Sequence, residues 1–157
     1  MKLRLLGPAI VPAVFALDRA TKIWIERTLD LWSSRTVIPG FFDLVHSQNR
    51  GMAFGLLNDG ANDFTRWLLI AASLAVVAFL IHSTARSWRD PGSAPPLPLF
   101  LVLAGALGNL YDRALRGYVT DFADFYVGSW HWPAFNVADA AITVGALWLL
   151  AQGFKGK

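Results

Sequence analysis

Residues 67–81 read WLLIAASLAVVAFLI, a run in which Ser73 is the only polar side chain. A bilayer core about 30 Å thick takes roughly 20 helical residues to cross, so this run predicts a membrane-spanning helix. The 157-residue chain is 55% hydrophobic and holds three more apolar segments of similar length. We therefore predict one domain over residues 1–157, an all-α membrane protein with four transmembrane helices. Their predicted bounds are about 5–27, 64–82, 97–115 and 136–154.

The long connection between the first two helices predicts a small β-rich element. Residues 36–45 read TVIPGFFDLV, in which β-branched and aromatic residues flank a Pro-Gly turn. We expect this element to cover about residues 33–57 and to lie on the membrane surface. Prolines mark the other connections: Pro91, Pro95, Pro96 and Pro98 between helices two and three, and Pro133 before helix four.

Composition excludes several classes of protein. Cysteine is absent, so disulfides, thiolate catalysis and cysteine-bound metals are ruled out. The net charge is +3 without a basic run, so no nucleic-acid partner is expected. His46, His82 and His131 lack the spacing of metal ligands, and we predict neither a metal nor another cofactor. The N-terminal apolar run is interpreted as a retained helix rather than a cleaved signal.

Four antiparallel helices would bring the polar residues of the apolar segments to one end. Asp18 and Lys22 lie late in helix one, Asn109 and Arg113 late in helix three, and Asp139 early in helix four. Basic residues at the opposite end favour cytoplasmic termini and an extracytoplasmic face for this polar group. The basic residues are Lys2, Arg4, Arg86, Arg89, Lys155 and Lys157. Arginines near the polar end weaken that bias.

Asp121 and Asp139 are the candidate catalytic pair. They flank an aromatic-rich segment, interpreted as a loop, between two apolar segments, and an acid beside a membrane span is costly unless it has a function. Two carboxylates held close split their pKa values, which lets one activate water while the other polarises a carbonyl group. The alternative is that each acid pairs with an arginine or caps a helix, although Asp139 follows Asn136 too closely for an ideal cap. Asp124 is a rival for the role of Asp121.

Seven further residues are candidates to bind substrate or shape the site, and most have a plainer alternative. Asn136 shares a helical face with Asp139. Asn109 and Arg113 also share a face, although an interfacial arginine often only extends to the membrane surface. Asp18 and Lys22, four residues apart, could be a self-neutralising pair. Asn49 and Gly51 belong to the motif Asn49–Gly55, which could equally be an ordinary turn.

The motifs together resemble the bacterial lipoprotein signal peptidase family, also called signal peptidase II. They are Asp18–Lys22, Asn49–Gly55, Gly105–Arg113, Gly117–Phe122 and Phe135–Ala140, in the family's order over nearly the whole chain. The sequence departs from the family at Ala104, where glycine is common, and at Arg19, where glutamine is common.

The resemblance implies an aspartic endopeptidase of the bacterial inner membrane. It would cut diacylglyceryl-modified prolipoproteins just before the lipidated cysteine, with Asp121 and Asp139 as catalytic residues. The other candidates would bind substrate or shape the site: Asp18, Lys22, Asn49, Gly51, Asn109, Arg113 and Asn136. The resemblance further implies contact with membrane lipids, an extracytoplasmic β-cradle and inhibition by globomycin-type cyclic peptides. We expect a monomer. A small transporter or proton-relay subunit, or a non-catalytic lipoprotein-binding membrane protein, are the alternatives.

Overall fold

Helices and one antiparallel sheet alternate along the chain in this computed structural model, which describes residues 2–51, 63–89 and 97–155. The helices are α1 (Lys2–Thr28), α2 (Asp63–Arg89), α3 (Leu97–Arg116) and α4 (Val137–Lys155). The strands are β1 (Ser34–Ile38), β2 (Phe42–Asn49), β3 (Val119–Val127) and β4 (Trp130–His131). Helices occupy all four predicted segments, and α2 continues to Arg89 instead of ending at 82, because a basic turn extends the helix beyond its apolar part.

The predicted β-rich element is confirmed in part. Strands β1 and β2 pair around the turn at Pro39-Gly40, where Gly40 has a φ of 77° that suits glycine. Residues 52–57 of the predicted element, together with Pro91, Pro95 and Pro96, lie outside the described residues. Pro98 lies in the first turn of α3 rather than in the connection, where its missing N–H has no helical partner to lose.

The segment that carries Asp121 is a strand, so its interpretation as a loop was wrong. Strand β3 pairs with β2 in the order β1-β2-β3-β4, and Asp121 stands opposite Ser47. The sheet therefore takes strands from two places in the chain, and the all-α class with β structure only between the first helices was incomplete. Beyond β4, Phe135 pairs with Ala123 of β3. This pairing returns the chain beside Asp121 just before α4 begins.

Close contact between α3 and α4 brings the polar end of α3 beside the start of α4. A Cβ at Gly105 would lie 2.2 Å from the carbonyl oxygen of Ala138, and one at Gly145 would lie 2.8 Å from that of Pro98. Small residues at such positions let helix backbones approach each other. A small apolar core of Val77, Leu80 and Leu103 joins α2 to α3 at the other side.

Membrane-spanning character is clearest for α2. Within the described residues, the stretch from Arg66 to Arg89 is the one helix long and apolar enough to cross a bilayer, and residues 137–153 form a shorter apolar helix. Large apolar side chains of both helices point outward, since Phe79 is 67% exposed and Leu147 is 60% exposed. Such surfaces fit lipid better than water. Buried charges in α1 and α3 lower their hydropathy, and the count of four spans stays a prediction.

Candidate active site

Asp121 lies buried on β3, with both carboxylate oxygens accepting hydrogen bonds from amides. Asp121 is only 4% exposed to solvent. Asn136 Nδ2 donates to Asp121 Oδ1 at 2.6 Å, and Asn49 Nδ2 donates to Oδ2 at 3.1 Å. The strand itself is held from β2, where Ser47 Oγ donates to the carbonyl oxygen of Asp121 at 3.0 Å. The carboxylate is therefore fixed from two sides.

The Asn49 amide is oriented by the turn that follows it. The N–H of Gly51 donates to Asn49 Oδ1 at 2.9 Å, which turns Nδ2 toward Asp121. Gly51 has a φ of 94°, and a Cβ there would lie 1.9 Å from Leu69 Cδ1. Both facts favour glycine. The predicted pair Asn49 and Gly51 therefore lies at the site, while residues 52–55 of the motif fall outside the described chain.

Asp139 forms a reciprocal cap with Asn136 at the start of α4. Its N–H donates to Asn136 Oδ1 at 3.0 Å, and the N–H of Asn136 donates to Asp139 Oδ2 at 3.3 Å. This is a capping box, which requires the three-residue spacing, so the expectation that the spacing is unsuited to a cap was wrong. The other oxygen, Oδ1, accepts a hydrogen bond from Asn109 Nδ2 at 2.7 Å. Asp139 thus caps the helix with one oxygen and faces α3 with the other.

Two asparagine amides link the two acids. Asn136 Nδ2, which donates to Asp121, also lies 3.5 Å from Asn109 Oδ1, and Asn109 Nδ2 donates to Asp139. Burial, and next the nearby charge of Asp139, raise the pKa of Asp121 from 3.8 to about 6, against the lowering effect of its amide partners. An acid held in this way keeps its proton more readily than an ordinary aspartate.

A cluster of buried charges supports the site from α1. Lys22 is fully buried and lies 2.7 Å from Asp18 Oδ2, 2.7 Å from Asp112 Oδ2 and 3.3 Å from Asn109 Oδ1. The suggested pair of Asp18 and Lys22 is present, but it is not isolated. Asp18 Oδ1 accepts the N–H of Ala138 at 2.9 Å, so α1 caps α4 beside Asp139.

Asp112 is a site residue whose role the sequence analysis missed. It is fully buried and binds Arg19 Nη1 at 2.5 Å as well as Lys22. The signal was its spacing, because Asn109 and Asp112 are three residues apart and share a face of α3. Arg19, a departure from the family pattern, supplies a second cation for Asp112.

Arg113 and Asp124 lie at the margin of this arrangement. Arg113 is half-buried, its Nη1 lies 3.5 Å from the carbonyl oxygen of Asn109, and its Nε has no hydrogen-bond partner among the described residues. The Asp124 carboxylate instead lies 2.9 Å from Nδ1 of the half-exposed His131. The cavity described next is lined by Asp121 and Asp139 but not by Asp124, so the structure does not place the rival acid with the other two.

A cavity of about 820 Å³ opens onto both acids. Asp121, Asp139 and Asn49 supply polar groups to its lining, and Trp130, Trp132 and Phe135 are among its aromatic residues. An apolar cavity with a few convergent polar groups is typical of a binding site for a small or extended ligand.

Comparisons with known proteins agree on one family. The family described as signal peptidase (SPase) II matches residues 10–155. A lipoprotein signal peptidase of Solibacter usitatus is 44% identical over 94% of this chain and 90% of its own length. Another, of Maridesulfovibrio salexigens, is 43% identical over 97% of each chain. A solved structure of a bacterial membrane enzyme, determined by the in meso method at 1.9 Å resolution, is similar with a TM-score of 0.81 and 27% identity, covering 97% of this chain and 94% of that one.

Proposed function

The chain belongs to the signal peptidase II family, and we propose that Asp121 and Asp139 are its catalytic pair. It is a bacterial membrane endopeptidase of the aspartic class that removes signal peptides from lipid-modified prolipoproteins. One observation carries the assignment of the pair: the two acids face one cavity and are connected through the amides of Asn136 and Asn109.

We assign the proton that the reaction requires to Asp121. Peptide hydrolysis by two acids needs one ionised carboxylate to accept a proton from water and one protonated carboxyl to polarise the scissile carbonyl. Burial and the neighbouring charge raise the pKa of Asp121 to about 6, so this acid keeps its proton up to a higher pH than an ordinary aspartate does. We therefore assign Asp121 as the acid and Asp139 as the base.

The reaction proceeds without a covalent enzyme intermediate. Asp139 accepts a proton as water attacks the carbonyl carbon, and Asp121 donates its proton to the carbonyl oxygen. When the tetrahedral intermediate collapses, the C–N bond breaks and the amine of the departing cysteine takes the proton held by Asp139. One diol hydroxyl returns its proton to Asp121, which restores the starting state.

The remaining site residues position these two acids and the substrate. Asn49, Asn109 and Asn136 orient the carboxylates through the hydrogen bonds described above, and Gly51 orients Asn49. Asp18 and Lys22 hold the start of α4 and Asn109. Arg113, whose Nε has no hydrogen-bond partner in the described part of the chain, is assigned to the substrate backbone. The apolar cavity wall receives the residues before the lipidated cysteine.

The membrane arrangement is part of the proposal. All four helices span the bilayer, with the sheet and the acids near the extracytoplasmic face and both termini in the cytoplasm. Helices α1 and α3 contact the sheet, and Phe135, just before α4, pairs with β3. Arg66, near the start of α2, donates to the carbonyl oxygen of Ala114 near the end of α3, and Arg86 and Arg89 lie at the far end of α2. These features support the arrangement. The proposed enzyme is a monomer that contacts membrane lipids and binds globomycin-type cyclic peptides at this cavity.

Cleavage of matched substrates tests this function. A diacylglyceryl-modified prolipoprotein and its unmodified counterpart are incubated with purified enzyme in lipid, and the products are identified by mass spectrometry. We expect a cut just before the lipidated cysteine and at least a hundredfold preference for the lipidated form, because the membrane-held lipid places the scissile bond at the acids. Equal cleavage of both substrates would contradict the positioning argument. Binding without cleavage would identify a non-catalytic lipoprotein-binding protein.

A further inference from the structure

Thr120 and Asp121 are neighbours on β3 whose side chains face opposite sides of the strand. Successive side chains alternate along a strand, so the chain that turns Asp121 toward Asn136 turns Thr120 toward α1. Thr120 is fully buried, and its Oγ1 donates a hydrogen bond to Glu26 Oε1 at 2.5 Å. The position of Asp121 relative to α4 therefore depends on how Thr120 is held by α1.

The same Glu26 oxygen also binds the end of α3. Arg116 Nη1 lies 2.7 Å from Glu26 Oε1, and Nη2 of Arg116 donates to Tyr118 Oη at 2.7 Å. The guanidinium carbon also lies 4.6 Å from the centroid of the Tyr118 ring. Gly117, with a φ of 77°, makes the turn between α3 and β3. Glu26 thus joins α1 to both sides of the turn that leads into Asp121.

We propose that Glu26 is a positioning residue of the active site, which fixes the Asp121 carboxyl by holding Thr120 and Arg116 at the turn between α3 and β3. The inference rests on the proposed function, since it assumes that Asp121 is the catalytic acid. Glu26 does not touch the cavity, whose lining includes Asp121 but neither Glu26 nor Thr120. It acts through the strand rather than on the substrate.

Thr120→Val tests the hydrogen bond with little change in shape. Valine removes the hydroxyl, and Thr120→Ser keeps it. A misplaced acid lowers the rate of the chemical step, and a displacement of about 1 Å can lower that rate about a hundredfold. We expect kcat of Thr120→Val to fall about tenfold or more with KM unchanged, and Thr120→Ser to recover most of the loss. Thr28→Val is the matched control, because Thr28 Oγ1 donates to the carbonyl oxygens of Trp24 and Ile25 within α1.

Glu26→Ala removes the acceptor from the other side. Its loss in kcat should be at least that of Thr120→Val, and the double variant should be no slower than Glu26→Ala alone, because both changes remove one hydrogen bond. Losses that multiply in the double variant would overturn the proposal. If Glu26→Ala does not fold, Thr120→Val decides alone. Asp30→Asn, an exposed acid after the same helix, controls for charge.

A spectroscopic measurement separates this inference from the proposed function. Infrared titration of the Asp121 carboxyl, assigned by difference from Asp121→Asn, reports its environment without turnover. If Asp121 is held less firmly, water reaches its carboxyl group and favours the ionised form. Thr120→Val should therefore move the titration midpoint to lower pH, while Thr28→Val should not. An unchanged midpoint together with unchanged kcat would overturn the inference. A wild type that never cleaves would refute the proposed function, and the titration would still decide the position of Asp121.

Discussion

Replacement of Asp121 by asparagine should abolish cleavage and yet stabilise the protein at neutral pH. Burial and the charge of Asp139 raise the pKa of Asp121 from 3.8 to about 6. Each pKa unit is worth about 1.4 kcal/mol, so the ionised carboxylate is disfavoured by about 3 kcal/mol in the folded state. Asparagine resembles the protonated acid in shape and lacks the charge.

The sign of the pH dependence follows from the direction of the change. Because the folded pKa is raised, the contribution of Asp121 to stability is complete below pH 3.8 and is lost as the pH rises through about 6. An amide does not titrate and loses nothing over this range. Its NH₂ group does face the donors of Asn49 or Asn136, and an unmade hydrogen bond costs about 1 kcal/mol. The net gain of Asp121→Asn at pH 7.5 is therefore about 2 kcal/mol.

Thermal unfolding followed by tryptophan fluorescence measures this gain. For a chain of this length, about 2 kcal/mol corresponds to a Tm increase of roughly 4–8 °C. We expect the increase at pH 7.5 and little or none at pH 4, where the wild-type acid is already protonated. Asp30→Asn, at an exposed acid, should leave Tm unchanged. A variant no more stable than wild type at pH 7.5, or a gain that persists at pH 4, would refute the claim that ionisation of Asp121 destabilises the folded protein.

Three further changes test other parts of the account. The kcat/KM of the wild type should fall tenfold per pH unit above about 6, since Asp121 must be protonated, and an activity that instead rises through pH 6 would reverse the two roles. Gly105→Ala places a Cβ 2.2 Å from the carbonyl oxygen of Ala138, and should lower stability by about 1–3 kcal/mol and remove most of the activity. Gly153→Ala, where a Cβ meets open space, should leave both Tm and the cleavage rate unchanged. Lys22→Met leaves the buried carboxylate of Asp18 without its cation and removes one of the cations beside Asp112, which keeps Arg19. The variant should lower stability by about 3 kcal/mol or more, and a folded, active variant with wild-type Tm would contradict this.

The sequence predicted the helices because long apolar runs have few alternatives. It singled out Asp121 and Asp139 as candidate catalytic acids because carboxylates beside such runs are costly without a function, and their catalytic role stays a prediction. It failed for β3, where Val119–Val127 has the β-branched and aromatic residues of a strand, but the residues of its partner β2 lie seventy or more positions earlier in the chain. Pairing over such a distance leaves little trace in local composition.

The support for the acids was only partly visible in the sequence. The three-residue spacing of Asn136 and Asp139 is that of a capping box, but the sequence analysis took it as too short for an ideal cap. The contacts of Lys22 with Asp112 and of Glu26 with Thr120 cross from α1 to distant elements. No spacing rule within one helix gives such pairs, because they depend on how the helices pack. The fold had to be known before these residues could be assigned.

The most direct test of the catalytic pair is cleavage by three purified variants. Asp121→Asn, Asp139→Asn and Asp124→Asn are compared with wild type on a diacylglyceryl-modified prolipoprotein in lipid. Asp124 does not line the cavity and is the control. The account predicts that the first two bind the substrate but cleave at least about a thousandfold more slowly, while Asp124→Asn retains near wild-type activity. Near-full activity of either Asp121→Asn or Asp139→Asn would contradict the assignment of these two acids as the catalytic pair.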